Sequence, residues 1–385
     1  MNEIKKNIYS VGVNDKTRKV FDALLPLPKG TSYNSYLIKG SEKVALIDTV
    51  DDTKADELLE NLKDIEKLDY IISNHAEQDH SGSIKVVLEK YPEAKVLTGA
   101  YCKSMLIDLH HIEEEKFQLI AENEEISLGD KTLKFIFTPW VHWPETMSTY
   151  LIEDKILFSC DFFGSHLASE NLIVKDESKI LKDAKIYYAE IMMPFREIIK
   201  RNIEKVEELE IEIIAPSHGP IYTNPSLIID AYKSWIFDEA KDKVLVPYVS
   251  MHGSTEALVR DLEKKLKENN IETVLVNLEK EDLGAVAEHL VDSKFIILGV
   301  PTLLNEAHPV ISMTANVARL LKPKAKYAGL VGSYGWGGRV IESVQSSLEG
   351  LDVEFLEPVL VKGLPREKDL EEISKLVESI KKLIN

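Results

Sequence analysis

Cysteine is nearly absent. Cys102 and Cys160 are the two the chain has, far apart and with no CxxC pair. That excludes a disulfide framework, an iron–sulfur cluster and a rubredoxin-type iron site on this chain, and it fits a reducing cytoplasm. No run of about 18 apolar residues occurs, so a membrane span is not expected. Met1-Asn2-Glu3-Ile4-Lys5-Lys6 leads into no signal-like apolar core, so secretion is not expected either. Positive charge is in deficit: the net charge is −18. This argues against nucleic acid, whose phosphates need a basic face, and against anionic lipid. The remaining class is a soluble globular protein of 385 residues, too long for one ordinary core. Two domains are expected, 1–241 and 242–385.

Against these absences stands one dense stretch, Ser73-Asn74-His75-Ala76-Glu77-Gln78-Asp79-His80-Ser81-Gly82. His75, Glu77, Asp79 and His80 bring four metal-ligating side chains into six positions, directly after the strand-like run Leu68-Asp69-Tyr70-Ile71-Ile72. Imidazoles with carboxylates suit zinc, iron or manganese, and several carboxylates tilt the choice towards iron or manganese. A polar loop with Ser81 or Ser83 capping a helix is the plainer alternative. The density of ligand types at a strand end favours a metal site.

Three more ligand types recur at strand ends, where loops carry function on a rigid scaffold. The strand 133–137 runs into Thr138-Pro139-Trp140-Val141-His142-Trp143-Pro144, the strand 155–160 delivers Asp161, and the run from Glu212 places His218 in a Gly/Pro turn. Alone, His142 between two tryptophans reads as a packed histidine. Trp140, Trp143, Phe162 and Phe163 would either keep a metal cavity dry or form ordinary core. Tyr187-Tyr188 reads as the end of another apolar strand, with Tyr188 as a hydroxyl or proton source behind the metal, or as core.

HxExDH followed by His142, Asp161 and His218 resembles the metallo-β-lactamase fold, a sandwich of two sheets flanked by helices. The usual motif there is HxHxDH with zinc. Glu77 stands where the second His is expected, and its hard anionic oxygen favours iron. The combination resembles the flavodiiron proteins. By that resemblance His75, Glu77 and His142 hold one iron, Asp79 and His218 the other, and Asp161 bridges them. His80 is a ligand in some members of the family and displaced in others.

After residue 241 strands and helices alternate: apolar strands at 244–249, 274–276, 295–299 and 327–331, and a closing amphipathic helix at 367–384. That pattern means a parallel sheet covered on both faces. The loop Ser250-Met251-His252-Gly253-Ser254-Thr255 opens a helix and is rich in hydroxyls, a ready anion site. It lacks both GxGxxG and the P-loop lysine, so neither NAD nor ATP is favoured. It resembles the phosphate loop of flavodoxins, which binds FMN. Two further loops lie at the ends of the next strands, one with Pro301, Thr302, Leu303 and Asn305, the other with Ser333, Tyr334, Gly335, Trp336 and Gly337. Their glycines allow close approach to a flavin ring, and Tyr334 or Trp336 would cover it.

The resemblance spans the whole chain. It implies an α/β and α+β fold, a metallo-β-lactamase-like αββα sandwich followed by a flavodoxin-like doubly wound parallel sheet, with two irons and one FMN. The activity implied is reduction of dioxygen to water, or of nitric oxide to nitrous oxide. Within one chain the two cofactor sites are expected to lie far apart. The family solves this with a head-to-tail homodimer, or a dimer of such dimers, in which one chain's FMN faces the other's irons. Lacking rubredoxin cysteines, the chain would draw electrons from a separate rubredoxin or a soluble hydride carrier. Pro28-Lys29-Gly30-Thr31-Ser32-Tyr33-Asn34-Ser35-Tyr36 and Asn74-His75-Ala76-Glu77-Gln78-Asp79-His80 look most like the methanogen subgroup, which oxidises the reduced 5-deazaflavin coenzyme F-420 with dioxygen. Two rivals stand beside this reading, a zinc hydrolase with an appended flavin domain and a flavodoxin-type electron carrier. Glu77 argues against the first and the full ligand set against the second.

Overall fold

The strands of the N-terminal half are apolar on both faces, and the computed structural model, which describes residues 1–384, uses both. Leu37, Leu46 and Ile71 pack with Leu58, Leu62, Ile84 and Val87 from helices. Their chain neighbours Ile38, Ile47 and Ile72 pack instead with Phe135, Met147, Leu151, Ile156 and Phe158 of a second sheet. Successive side chains of a strand alternate faces, so each strand serves two cores. The first sheet orders Tyr36–Lys39, Val44–Ile47, Tyr70–Ile72 and Lys95–Thr98, the first pair antiparallel and the rest parallel. The second orders Thr132–Phe137, Met147–Leu151, Ile156–Cys160 and Ile213–Pro216, antiparallel until its last, parallel pair. This is the helix-flanked two-sheet sandwich that the ligand motif implied.

The second unit begins at Phe237, ahead of the junction read at 241/242. Its first strand, Lys241–Tyr248, already pairs Lys241 with Ser293. Its parallel strands run in the order Glu272–Asn277, Lys241–Tyr248, Ser293–Leu303, Tyr327–Tyr334. The direction of winding therefore reverses beside the first strand, the place where such sheets bind ligands. Val244, Val246, Phe295 and Ile297 pack with Leu258, Leu262, Ile373 and Leu376 of the helices Ser254–Glu268 and Glu367–Ile384. The alternate residues Leu245, Ile296, Leu298 and Leu330 are buried outside that cluster, as a sheet covered on both faces requires.

One element differs in kind from its sequence reading. Tyr187-Tyr188 does not end a strand; Glu177–Tyr187 is an α-helix, continued by a π-helical turn Tyr188–Met192. The carboxylate of Asp176 accepts from the Lys179 N–H and caps the helix, a start signal that the apolar run obscured. No helix among the described residues is long and apolar enough to cross a membrane.

The loop preceding Tyr36–Lys39 ties the first sheet to the turn that carries His218. Asn34 Nδ2 donates to the carbonyls of Pro216 (2.8 Å) and Gly219 (2.7 Å), its backbone N–H donates to Ser217 O (2.8 Å), and the Tyr36 hydroxyl donates to Pro216 O (2.7 Å). Asn34→Ala removes two donors and should lower the unfolding free energy by about 1 to 3 kcal/mol. Denaturant unfolding checks this, and an unchanged midpoint would show that the ties are dispensable.

Candidate functional site

Four loops leave strand ends and meet around the Asp161 carboxylate. His75 and Glu77 follow Tyr70–Ile72, and Asp79 and His80 ride on the short helix Gln78–Ser81. His142 sits between Thr132–Phe137 and Met147–Leu151, while Asp161 and His218 follow Ile156–Cys160 and Ile213–Pro216. Asp161 Oδ2 lies 3.6 Å from His75 Nε2 and 3.7 Å from His142 Nε2, and both rings are 3.1 Å from Glu77 Oε2. Asp161 Oδ1 lies 3.1 Å from His80 Nε2 and 3.4 Å from His218 Nε2, with Asp79 3.3 and 3.1 Å from those rings. The seven ligand-type residues read from the sequence form two groups that share one carboxylate.

These groups fit metal ions on their own chemistry. Both carboxylate oxygens of Asp79, His80 Nε2 and Asp161 Oδ2 are buried without a hydrogen-bond partner. Orphaned charges of that kind are costly, and a cation in each group would satisfy them. In the metal-free protein protons do part of this work. Burial opposes charging His218, but the carboxylates of Asp161 and Asp79 beside it push it up to about 10. Burial likewise opposes charging His75, but Glu145, Glu77 and Asp161 raise it well above the ordinary imidazole range. His80 rises against burial through Asp161 and Asp79. Asp161 sits well below the usual carboxylate range, burial notwithstanding, because His80, His218 and His75 surround it.

The ligands are aimed from behind. Glu145 Oε1 accepts from His75 Nδ1 (2.7 Å) and from the Ala76 N–H (3.0 Å), leaving Nε2 directed inward. His218 Nδ1 donates to Ser32 O at 2.6 Å. Buried Asp48 accepts from Asn74 N (2.8 Å) and Nδ2 (2.9 Å), fixing the residue before His75. Tyr187, and not Tyr188, reaches the cluster: its hydroxyl donates to Asp161 Oδ1 at 2.8 Å. The Tyr188 hydroxyl lies 3.5 Å from Trp235 O, and its ring packs on Tyr232 and Trp235. Consecutive helical residues diverge by about 100°, so one tyrosine faces the ligands while the next faces the aromatic core. Of the four aromatics singled out, Trp143 packs edge-on against His75 at 5.0 Å. Phe162 and Phe163 stack on each other at 4.0 Å in the core, and Trp140 is 38% exposed and stacks on Phe195.

Sequence reading missed two neighbours. Glu145 is three positions beyond His142 and was hidden in Trp143-Pro144-Glu145. His166, in Gly164-Ser165-His166, has its Nδ1 3.0 Å from Thr31 Oγ1 and its ring 5.1 Å from that of His218. Burial, then the charge of His218, holds it well below the ordinary imidazole range.

In the second unit a cleft of about 180 Å³ is lined by Ser250, Met251, His252, Ser254, Thr255, Pro301, Thr302, Ser333, Tyr334 and Gly335, joined by Gly363, which had not been anticipated. Gly253, Leu303, Asn305, Trp336 and Gly337 fall outside this lining. Gly253 turns the chain into the helix Ser254–Glu268 at φ 84°, where a side chain would be strained. Leu303 pairs with Glu306 in a small hairpin, and Asn305 O accepts the Arg339 N–H at 2.7 Å. Thr255 Oγ1 and Ser333 Oγ, 2.9 Å apart, link the first loop to the third. Hydroxyls gathered at the N-terminus of a 15-residue helix suit a phosphate.

Fold and sites together define a two-domain oxidoreductase with a buried metal pair and a flavin. The chain matches the ODP family beta lactamase over residues 31–219 and Flavodoxin over residues 246–376. It is similar to a nitric oxide reductase of Moorella thermoacetica, 34% identical over 98% of this chain and 97% of that one. It is equally close to a flavo-diiron protein of Clostridium acetobutylicum, 33% identical over 99% of each chain. The structure superposes on rubredoxin oxygen:oxidoreductase of Desulfovibrio gigas with a TM-score of 0.94 at 26% identity, covering 100% of this chain and 98% of that one. The chain belongs to the flavodiiron proteins, oxidoreductases that carry a di-iron centre and FMN.

Proton and metal compete for the same imidazoles. Raised to about 10, His218 stabilises the metal-free fold at pH values below the ordinary imidazole range, and that contribution is lost as pH rises through about 10. Metal needs the neutral ring, so ferrous ion affinity should rise between pH 6 and 8, roughly tenfold per pH unit for each proton displaced. Chelator competition at several pH values, with proton release read by calorimetry in two buffers, measures this. Uptake without proton release would contradict it.

Proposed function

We propose that this chain reduces dioxygen to water, passing electrons from the reduced 5-deazaflavin coenzyme through FMN to the di-iron centre, as a cytoplasmic head-to-tail homodimer. The observation that carries the reading is Asp161, whose two oxygens face two separate ligand groups. His75, Glu77 and His142 would hold one iron, Asp79, His80 and His218 the other, with Asp161 between them. Two irons held by these residues would supply redox equivalents and open positions for a diatomic gas. His80 counts as a ligand here because its Nε2 points at Asp161 and is otherwise orphaned.

The surrounding residues shape that chemistry. The buried Tyr187 hydroxyl, kept protonated by burial and by Asp161, presents a proton at the shared carboxylate. Trp143 covers His75 and keeps water from it. In the other unit the 250–255 loop would grip the FMN phosphate, while Pro301, Thr302, Tyr334 and Gly335 flank the ring. Met251, Leu304, Trp336 and Leu364, in or beside the loops that form this cleft, are 41%, 84%, 76% and 67% exposed. An apolar rim of that kind favours a surface covered by another chain, in keeping with the head-to-tail pairing. Two buried free cysteines fit the cytoplasm. Dioxygen is favoured by the likeness to rubredoxin oxygen:oxidoreductase, and the deazaflavin donor by the runs 28–36 and 74–80. The likeness to the Moorella nitric oxide reductase favours a second reading, reduction of nitric oxide with electrons from a rubredoxin.

Protein purified without oxygen and mixed with the reduced coenzyme should consume one dioxygen for every two coenzymes oxidised, the ratio that four-electron reduction to water demands. No uptake, with nitric oxide consumed in the presence of reduced rubredoxin, would move the assignment to the second reading. Tyr187→Phe should lower turnover by about tenfold or more with iron content unchanged, whereas Tyr188→Phe should leave both intact. Steady-state rates beside metal analysis distinguish the two, and equal effects would remove Tyr187 from the proton path.

A further inference from the structure

The cleft of the second unit has no Lys or Arg in its lining; His252 is the one side chain there able to carry positive charge. It is the third residue of the loop that Gly253, at φ 84°, turns into the helix Ser254–Glu268. The loop's other polar groups are largely engaged within the protein. The Ser250 N–H donates to Glu279 Oε1 (2.9 Å), Ser250 Oγ accepts from the Glu256 N–H (3.0 Å), and Thr255 Oγ1 is paired with Ser333 Oγ. The nearby cation, Arg260, is turned towards Glu256, Glu263 and the Tyr248 hydroxyl. His252 is exposed and, among the described residues, makes neither a hydrogen bond nor an ion pair.

A phosphate monoester carries close to two negative charges at neutral pH, and the Glu279 carboxylate, which accepts the Ser250 N–H, adds to the repulsion it meets. The helix N-terminus contributes only about half a positive charge. We propose that His252 is the cationic clamp on the FMN phosphate, donating a charge-assisted hydrogen bond as imidazolium, and that it makes flavin retention depend on pH. This rests on the FMN reading of the cleft. The titratable groups around the loop are Glu279, which accepts the Ser250 N–H, Glu256 in the first turn of the helix Ser254–Glu268, and Tyr334, which lines the cleft together with His252. A bound dianion favours the protonated ring, so affinity falls as pH rises. The phosphate's own second ionisation, near pH 6, opposes this only at the acid end.

The test uses the full-length protein freed of flavin and titrated with FMN and with riboflavin, by flavin fluorescence, at pH 6.5 and 8.5. Wild type should bind FMN roughly tenfold more weakly at pH 8.5 than at 6.5, with riboflavin affinity flat. His252→Gln, which keeps a neutral donor, should hold FMN affinity constant within about twofold across that range, at the weaker level. A pH dependence that survives in His252→Gln overturns the clamp. So does an equal loss of riboflavin binding, which would mark His252 as a support of the loop only. Wild type binding riboflavin as tightly as FMN would instead overturn the placement of the phosphate in this cleft, whatever His252 does.

Discussion

One carboxylate constrains the N-terminal unit. Asp161 is buried with an imidazole within 3.1 to 3.7 Å of each oxygen, two on either side. A buried charge is tolerated only if it is paired, and removing one partner leaves the others stranded. The four ligand loops must therefore arrive together. The Asp48–Asn74 bonds, the Asn34 ties to the His218 turn and the Glu145–His75 contact all bear on loops that end at this carboxylate. The sandwich supplies the rigidity. Strands that serve two cores at once cannot shift register without emptying one of them.

The legible parts of the sequence were those where chemistry and periodicity coincide. His75, Glu77, Asp79 and His80 announce themselves because four ligand types follow one apolar strand, and the 250–255 loop does so because hydroxyls cluster between a strand and a helix. His142 was ambiguous alone and gained weight from order along the chain, which is information about topology. Tyr187 rather than Tyr188 reaches the ligand cluster because the segment has a period of 3.6 and not the period of 2 that its apolar run suggests. In a strand neighbours take opposite faces, whereas in the helix Glu177–Tyr187 and its π-helical continuation the ligand-facing position fell on Tyr187. Glu145 and His166 could not be seen, since their roles depend on which way a turn folds back on His75 or His218. Gly363 belongs to the cleft only because a fourth strand end, after Val359–Lys362, comes beside the other three.

The two units treat anions in opposite ways. The flavin cleft meets a phosphate with a helix terminus, hydroxyls and at most one imidazole, with the Glu279 carboxylate holding the first N–H of the loop. Such a site binds by shape and by directed N–H groups, and it leaves little surplus positive charge around the ring. The metal centre instead concentrates negative charge and needs cations to be stable.

That concentration explains Glu77. With histidine at this position, the carboxylates in or touching the ligand groups would be Asp79, Asp161 and Glu145, three negative charges against the four positive charges of two divalent ions. Glu77 supplies the fourth, so the buried centre with both ions is close to neutral. A neutral centre carries the smallest desolvation cost, and it favours ions that take hard oxygen ligands. The same arithmetic favours protons on His75, His80 and His218 in the metal-free protein, because imidazolium supplies positive charge beside the buried carboxylates. Glu77 is thus more than a change of donor atom. It sets the charge that the pocket must receive, and three histidines stand ready to supply part of that charge as protons whenever metal does not.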